Sequence, residues 1–414
     1  MAAMKLGMVG AGFVAKFHAR ALAQVRNIEL AGVTALAGAE ELAKSAKQEG
    51  LGDTKVYKDV KEMAKNVDAV AIFIPNFARL ETMEQIAEAA KEGAKLKGVI
   101  CEKPLARNMK EARRMVELAD GAGLKTAYFE NQIFMPTVRN AMDQLAPQQK
   151  AMGPIHLTRS NEEHGGPHEP WFWDPTRQGG GVLCDMGCHS IAVGWYVLTP
   201  LGKPVTFLEP QTVTATTLLL KWGKEDWRAK LMERGVDYSK TPAEDFATAI
   251  ITFKNPDTGQ IVMGQVTDSW MYDAPGLRLL MEGYGAGYSF VVNSLESPSH
   301  IFIADVAAEA VADAELALEK AQASRGLLTL QANEADLYGY VAENADAATA
   351  FMAGKDAYLP WSYGLEITKL IMAGYMSAER GTTLDLTDAA VQKELETYVP
   401  LIQQGKGGEI LQVL

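Results

Sequence analysis

Three side chains of this chain of 414 residues have types suited to proton transfer at a hydroxyl group: Lys103, Asp185 and His189. Lys103 stands in Glu102-Lys103-Pro104, at the expected C-terminal end of a buried strand, where an amine could donate to a substrate oxygen or transfer a proton. Asp185 and His189 are four residues apart. On a helix they would share a face, and the carboxylate would stabilise a protonated imidazole. The alternatives are a strand-end lysine and a helix pair without chemical roles.

The same segment also contains possible metal ligands. Cys184 and Cys188 accompany Asp185 and His189, but Cys-x3-Cys on a helix is a poor match to the Cys-x2-Cys spacing of structural zinc sites. No second ligand pair follows downstream. We therefore expect no metal, and we expect both cysteines to be small buried apolar side chains.

A third group of polar and aromatic residues occupies the segment from His164 to Asp174, which includes His168, Glu169 and Trp173. Aromatic faces pair with the C–H faces of sugars, and histidine or carboxylate groups can bind hydroxyls. The segment thus predicts a pocket rim in which His164, His168 and Trp173 bind substrate. A packed aromatic corner is the alternative.

A glycine-rich turn opens the chain and indicates how these groups are positioned. Met4–Val9 predicts a buried strand, Gly10-Ala11-Gly12 follows it, and a helix begins at Phe13. Gly10 allows a tight turn, Gly12 allows close approach to a pyrophosphate, and the helix N-terminus attracts phosphate. The pattern predicts a dinucleotide site; a glycine turn that only packs a helix on a sheet is the alternative.

Strands and helices alternate through the first third of the chain, which predicts βαβ units and a parallel sheet. The later strand-like segments follow one another with few helices between them, which predicts a mostly antiparallel sheet. We therefore expect an α/β protein with a domain over residues 1–132 and another over 133–414, whose C-terminal helices could pack back on the first. The predicted strands are Ile28–Thr34, Ala69–Ile74, Gly98–Cys101, Thr126–Phe129, Pro154–Asn161, Val205–Leu220, Asp245–Phe253, Ile261–Trp270 and Leu277–Glu282. The predicted helices are Gly38–Glu49, Arg79–Glu92, Met109–Ala119, Ala307–Ser324, Asn333–Met352, Tyr363–Glu379 and Asp388–Gln404.

Composition excludes several classes of partner. The net charge is −12 with no Lys/Arg-rich run, which argues against nucleic acid or an anionic membrane as the main partner. We expect neither a signal peptide nor a membrane-spanning segment. Three cysteines cannot form a full disulfide framework, so we expect a cytoplasmic protein.

Taken together, these residues resemble the Gfo/Idh/MocA family (glucose–fructose oxidoreductase and inositol dehydrogenase). The resemblance covers nearly the whole chain. It is carried by the following segments: Pro75-Asn76, Glu102-Lys103-Pro104, Asp185-x-x-x-His189 behind Gly179-Gly180-Gly181, Glu244-Asp245-Phe246 and Tyr375–Gly381.

The resemblance implies an N-terminal Rossmann domain and a C-terminal α/β domain whose large, open, mostly antiparallel sheet mediates homodimers or homotetramers. It implies NAD or NADP as cofactor, a carbohydrate or polyol substrate, and Lys103, Asp185 and His189 as catalytic residues that also contact substrate. The predicted cofactor-binding residues are Gly10, Gly12, Phe13, Val14, Ala35, Pro75, Asn76, Glu102, Lys103 and Asn131.

The chain also departs from the family pattern. Thr34-Ala35-Leu36-Ala37-Gly38 carries neither the acidic residue that binds an adenosine ribose nor a cation for a 2′-phosphate, so NAD and NADP both stay open. Arg79 replaces a common histidine, and Ile74 replaces a common threonine. Trp222–Tyr238 and Asp305–Gly326 are extra segments.

The expected function is hydride transfer from a secondary alcohol of a sugar, polyol or glycoside to NAD(P), with either Lys103 or His189 as the immediate base. One alternative is a redox-neutral glycoside hydrolase or lyase that oxidises its sugar transiently with tightly bound NAD. Another is a non-enzymatic NAD(P)-sensing protein. The substrate and the oxidised carbon are not predicted.

Overall fold

The computed structural model describes residues 3–273, 276–296, 300–303, 326–329 and 333–411. The chain divides into two compact units. The first comprises Met1–Pro136 and Tyr338–Thr368, and the second comprises Thr137–Leu337 and Lys369–Leu414. The predicted helix Ala307–Ser324 lies outside the described residues.

The strands form two main sheets and a two-stranded ribbon. The strands are β1 Met4–Val9, β2 Ile28–Thr34, β3 Lys55–Val56, β4 Ala69–Ile72, β5 Gly98–Glu102, β6 Lys125–Phe129, β7 Leu157–Glu163, β8 Glu209–Leu218, β9 Phe246–Lys254, β10 Ile261–Ser269, β11 Arg278–Gly285, β12 Tyr288–Asn293, β13 His300–Ile303, β14 Gly326–Thr329 and β15 Leu384–Asp385. The first unit contains a six-stranded sheet in the order β3-β2-β1-β4-β5-β6, with all pairs parallel. The second contains a seven-stranded sheet in the order β12-β11-β7-β10-β9-β8-β15, and β13 pairs with β14.

The helices of the described residues connect and cover these strands. They are α1 Phe13–Leu22, α2 Ala39–Gln48, α3 Val60–Ala64, α4 Arg79–Lys91, α5 Met109–Gly121, α6 Pro136–Gln144, α7 Ala146–Met152, α8 Pro175–Gln178, α9 Val182–Asp185, α10 Gly187–Leu198, α11 Glu225–Glu233, α12 Glu334–Leu337, α13 Tyr340–Met352, α14 Trp361–Arg380, α15 Ala389–Leu395 and α16 Gly407–Ile410.

The predicted parallel sheet of the first unit is confirmed, and its strand order is that of a Rossmann fold. The four residues of β4 are all buried, as are the five of β5, which is why these strands are continuous apolar runs. Side-chain caps begin two of the helices, because Asp59 accepts from Glu62 N and Asn108 accepts from Glu111 N. Strand β3 and helix α3 are absent from the predicted elements, because two and five residues are too short to show a periodic pattern.

The returning segment of the first unit covers the edge strand β6. Tyr128 N donates to Leu359 O over 2.8 Å, and the Trp361 indole donates to Ala127 O over 3.0 Å. An unpaired edge strand would expose backbone donors and acceptors, so this contact completes the sheet. The predicted helix Asn333–Met352 is two helices, because Gly339 between them has a φ of 87°.

The sheet of the second unit is mostly antiparallel, as predicted, with one parallel pair between β7 and β10. Helix α10 lies on one face of this sheet. A Cβ added at Gly194 would lie 3.2 Å from Thr158 Oγ1 and 3.3 Å from Ser160 Oγ, so the glycine permits a close helix–sheet approach. This packing buries the helix that carries His189.

The last predicted helix is shorter in the structure than expected. The predicted helix Asp388–Gln404 ends at Leu395, and Pro400 lies in the turns that follow, where its missing N–H excludes a helical bond. The stretch Pro175–Leu198 is long and apolar enough to cross a membrane, with a mean hydropathy of 1.2. Of an apolar 18-residue window within it, 94% is buried, and the stretch is broken into α8, α9 and α10, as expected of core helices.

Candidate active site

The turn after β1 has the shape that the glycine pattern predicts. Gly10 has a φ of +114°, and an added Cβ would lie 2.2 Å from Phe73 O on the neighbouring chain segment. Only glycine is compatible with this conformation and this spacing. Gly10 is therefore required by the fold itself.

Gly12 has a different reason to be glycine. A Cβ added there meets no protein atom within 4 Å, so the protein leaves open space beside it. Helix α1 begins directly after Gly12 without a side-chain cap and without an acidic residue in its first turn. Uncapped N–H groups and the positive end of the helix dipole favour an anion, so this turn fits the pyrophosphate of NAD.

The other predicted cofactor residues of the first unit lie at the same carboxyl edge of the parallel sheet. Pro75 and Asn76 follow β4, which neighbours β1 across the point where the strand order reverses, and Ala35 follows β2. Such a switch point is where open α/β sheets bind ligands. Phe13 is 50% exposed there, and the Val14 backbone lies in the first turn of α1. Asn131 is buried and donates to Tyr338 O over 2.7 Å.

Glu102 is the last residue of β5 at this edge, and Lys103 directly follows it. Lys103 is half-buried, whereas Glu102 is buried and its Oε2 accepts from Lys103 N over 3.0 Å. Glu102 Oε1 lies 2.8 Å from His18 Nε2, and His18 Nδ1 lies 2.9 Å from Asn344 Nδ2. This buried chain of hydrogen bonds fixes the Glu102 side chain. His18 and Asn344 are not among the residues predicted from the sequence, since they are far from Glu102 along the chain and no local spacing links them to it.

Asp185 and His189 lie in the second unit and are both 4% exposed. The helix that would join them is interrupted at Met186, so Asp185 ends α9 and His189 lies in the first turn of α10. Asp185 Oδ2 accepts from the indole N–H of Trp270 over 3.3 Å. The carboxylate is therefore oriented by a buried donor, which sequence analysis did not identify.

The glycine run before α9 is explained by contacts within the second unit. A Cβ at Gly180 would lie 2.0 Å from Tyr375 Oη, and a Cβ at Gly181 would lie 2.2 Å from Glu244 O. Glu244 accepts from Gly181 N over 3.1 Å and from Leu183 N over 3.0 Å. Burial raises the pKa of Glu244 to about 7, although these donors oppose the shift. The run therefore lets Glu244 and Tyr375 hold the start of the helix that ends at Asp185.

The aromatic segment of the second unit is largely a packed corner. Trp173 is 1% exposed and its ring centroid lies 4.7 Å from that of Trp222 and 5.1 Å from that of Trp270. His164 is also buried and its Nδ1 accepts from the backbone N–H two residues later, whereas His168 is exposed. The burial of Trp173 and His164 favours the packed-corner alternative for those two residues.

The cysteines are free and buried. Cys184 Sγ lies 3.7 Å from Gln178 O, and Cys188 Sγ lies 3.1 Å from Asp185 O, so both thiols are directed at backbone carbonyls. Among the described residues, the potential ligand atoms that lie within 4.8 Å of one another belong to His18, Glu102 and Glu343 in the first unit. The His18–Glu102 hydrogen bond already joins two of them.

Two family models match the chain. The model for the oxidoreductase family with an NAD-binding Rossmann fold matches residues 4–129, and the model for the Gfo/Idh/MocA C-terminal domain matches residues 144–282. Together they cover well over half of the sequence and include Lys103, Asp185 and His189.

Curated relatives with sugar and polyol names match the chain in part. The chain is 30% identical over 202 residues to D-glucoside 3-dehydrogenase of Escherichia coli K12, covering 47% of this chain and 54% of the relative. It is 27% identical over 197 residues to myo-inositol 2-dehydrogenase of Thermotoga maritima, covering 47% and 55%. The alignments thus span about half the length of these relatives.

Solved structures share the fold over nearly the whole chain. GenD2 from gentamicin A biosynthesis, solved in complex with NAD, matches with a TM-score of 0.70 at 20% identity, covering 93% of this chain and 97% of that one. Scyllo-inositol dehydrogenase from Lactobacillus casei, solved with NAD(H) and scyllo-inositol, matches with a TM-score of 0.63 at 19% identity, covering 93% and 100%. With its Rossmann sheet, its glycine turn and both family domains, the chain belongs to the Gfo/Idh/MocA family of NAD-binding oxidoreductases.

Proposed function

We propose that the protein is an NAD(P)-dependent dehydrogenase that oxidises a secondary alcohol of a sugar, polyol or glycoside. The observation that carries the proposal is that Lys103 directly follows β5 at the same sheet edge as the Gly10–Gly12 turn, which fits a dinucleotide. A proton-transfer group at the sheet edge that holds the cofactor is what alcohol oxidation requires.

The proposed roles follow from the chemistry of each side chain. At the Gly10–Gly12 turn a bound nicotinamide cofactor would be held by its phosphates, and it would supply the acceptor for the hydride of the carbinol carbon. His189 removes the hydroxyl proton, and Lys103 stabilises the developing alkoxide by donating a hydrogen bond. Asp185, itself oriented by Trp270, orients the imidazole and stabilises its protonated form. Lys103 is the alternative immediate base.

The substrate class is supported by the names of the relatives. Glucoside and inositol dehydrogenases are among the matches, and both act on ring-bound secondary alcohols by name. We extend to this chain only the shared class, a cyclic polyhydroxy compound, because each alignment covers about half of the relative.

One experiment separates a dehydrogenase from a redox-neutral glycosidase. The protein is incubated with a panel of sugars, inositols and aryl glycosides and with NAD or NADP, while nicotinamide and aglycone absorbance are followed together. A dehydrogenase forms reduced cofactor in step with oxidised product. Aglycone release in large molar excess over reduced cofactor would instead identify the redox-neutral reaction, and cofactor binding without any turnover across the panel would favour the sensor alternative.

We also propose that the open face of the second sheet mediates self-association into a homodimer or homotetramer. The face opposite α10 carries a cross-strand row in which Ile250 and Val291 are exposed at 40% and 59%. Between them, Arg159 pairs with Glu282 over 3.6 Å. A row in which exposed apolar side chains flank Gln265 and a neutralised charge pair suits a symmetric interface. Sedimentation of wild-type protein and of Ile250→Glu tests this, and a monomeric wild type contradicts it.

The expected compartment is the cytoplasm. All three cysteines are buried free thiols, which suits a reducing environment.

A further inference from the structure

Arg79, the first residue of α4, is a buried arginine whose side chain ends among backbone carbonyl groups. It is 4% exposed. Its Nε donates to Ile74 O over 3.1 Å, just beyond the end of β4. This is the position at which the chain departs from the histidine that the family resemblance predicts.

The two terminal nitrogens of Arg79 reach the end of the neighbouring strand, β5. Nη1 donates to Glu102 O over 2.6 Å and also to Pro104 O, and Nη2 donates to Lys103 O over 3.2 Å. One guanidinium thus contacts all three carbonyl oxygens of the Glu102-Lys103-Pro104 tripeptide. A planar fork of five N–H donors can do this, whereas an imidazole offers at most two and an ammonium group is a single point of charge.

The Lys103 backbone is therefore held on both sides. Its carbonyl accepts from Arg79, and its N–H donates to Glu102 Oε2 over 3.0 Å. The Glu102 side chain is in turn fixed by His18. With both backbone groups bound, only the rotamers of the Lys103 side chain are left to vary, and the origin of that side chain is fixed at the sheet edge.

We propose that Arg79 is a positioning residue that sets the location of Lys103 for catalysis by binding the carbonyl groups of Glu102, Lys103 and Pro104. This inference rests on the proposed function, in which Lys103 acts on the substrate hydroxyl. Catalysis depends on placement within a fraction of an ångström, so loosening the tripeptide lowers kcat more than it changes ground-state binding.

The first test compares Arg79→Met with Arg114→Met, a matched change at a half-exposed arginine on α5. We expect Arg79→Met to lower kcat about a hundredfold while KM and the Kd for NAD change less than about threefold. Hydrogen exchange of the peptide containing residues 102–106 should become faster, and Arg114→Met should resemble the wild type in every measurement. A kcat within about threefold of wild type, together with unchanged exchange, overturns the proposal.

A double variant distinguishes positioning from a general structural role. If Arg79 acts through Lys103, adding Arg79→Met to Lys103→Met should lower kcat by less than about threefold more, because the positioned group is already absent. If kcat of the double variant instead falls by the product of the two single-variant losses, the proposal is overturned, because Arg79 then acts independently of Lys103.

Should Arg79→Met fail to fold, Arg79→Lys is the second variant, because it keeps the buried charge with fewer directed donors. A lowered kcat of Arg79→Lys at a normal melting temperature supports the proposal, and a wild-type kcat overturns it. Should wild-type protein oxidise nothing in the panel, the proposed function fails. Should the wild type be active and Lys103→Met keep full activity, the dehydrogenase function stands and only the role of Lys103, and with it the positioning role of Arg79, is overturned. In both cases hydrogen exchange still reports whether Arg79 holds the tripeptide.

Discussion

The hydroxyl of Tyr375 donates a 2.6 Å hydrogen bond to Glu244 Oε1, and the two side chains together bind the backbone of Gly181. Tyr375 lies on α14 and Glu244 just before β9, so two distant parts of the second unit meet at the start of α9. Because Gly181 precedes the helix that ends at Asp185, this buried pair links the stability of the second unit to the placement of a proposed catalytic carboxylate.

Glu244 should make the stability of the protein pH-dependent. Its folded-state pKa is raised by burial to about 7, above its ordinary value of 4.5. The native state therefore binds this proton more tightly than the unfolded state does, and the resulting stabilisation is present below pH 4.5 and lost as the pH rises through about 7. From pH 4.5 to pH values above about 7, the contribution of Glu244 to the free energy of unfolding of the protein should fall by roughly 3 kcal/mol.

Urea unfolding of wild type and Glu244→Gln from pH 5 to pH 8 measures this contribution. The free energy of unfolding of the wild type, minus that of Glu244→Gln, should decrease steadily as the pH rises over this interval. The reason is that Glu244 titrates and glutamine does not. Glu225→Gln, at an exposed position of α11, is the control and should show a constant difference from wild type. A constant difference for Glu244→Gln as well would mean that Glu244 titrates normally.

The two glycines of the nucleotide turn should respond differently to alanine. Gly10→Ala places a Cβ 2.2 Å from Phe73 O at a positive φ, so we expect a loss of stability of about 2 kcal/mol or more. Gly12→Ala meets no protein atom within 4 Å, so its melting temperature should match the wild type while its affinity for NAD falls about tenfold or more. Calorimetric melting and NAD titration check both; unchanged NAD affinity in Gly12→Ala would place the pyrophosphate elsewhere.

Both nicotinamide cofactors should bind with a preference below about a hundredfold, because the turn after β2 offers neither a ribose carboxylate nor a phosphate clamp. Ala35 is half-exposed there and Leu36 is fully exposed. Titration of protein fluorescence with NADH and NADPH measures the preference. Ala35→Asp supplies the missing carboxylate and should shift the ratio toward NADH. A preference of about a thousandfold in the wild type would require a selective side chain elsewhere.

Lys103→Met and His189→Asn should each lower kcat by about two to four orders of magnitude, as loss of a proton-transfer group does. Asp185→Asn should be intermediate, because the imidazole stays but its negative partner is removed. The Kd for NAD should change little in all three, since the phosphates are held at the Gly10–Gly12 turn. Steady-state kinetics with the best substrate of the panel check this, and near-normal turnover in both Lys103→Met and His189→Asn rejects the site.

Much of the fold follows from local patterns in the sequence. Buried strands such as β4 and β5 are uninterrupted apolar runs, and the turn at Gly10 and Gly12 is marked by residue type alone. The mostly antiparallel second sheet follows from successive strands with short turns. Residue type and spacing also predict Lys103, Asp185 and His189 as catalytic candidates, because proton transfer requires particular side-chain types whatever surrounds them.

Contacts between residues far apart in the chain were decided only by the tertiary structure. No local sequence pattern predicts the helix break at Met186 or the parallel pairing of β7 with β10. The same is true of the hydrogen bonds that join His18 to Glu102 and Glu244 to Gly181. Arg79 was visible in the sequence only as a departure from the family pattern, and its role as a ligand of three carbonyl groups depends on β4 and β5 being neighbours. The physical reason is that a hydrogen bond needs its partners within about 3 Å, and such proximity between distant segments is set by packing of the whole unit rather than by local sequence.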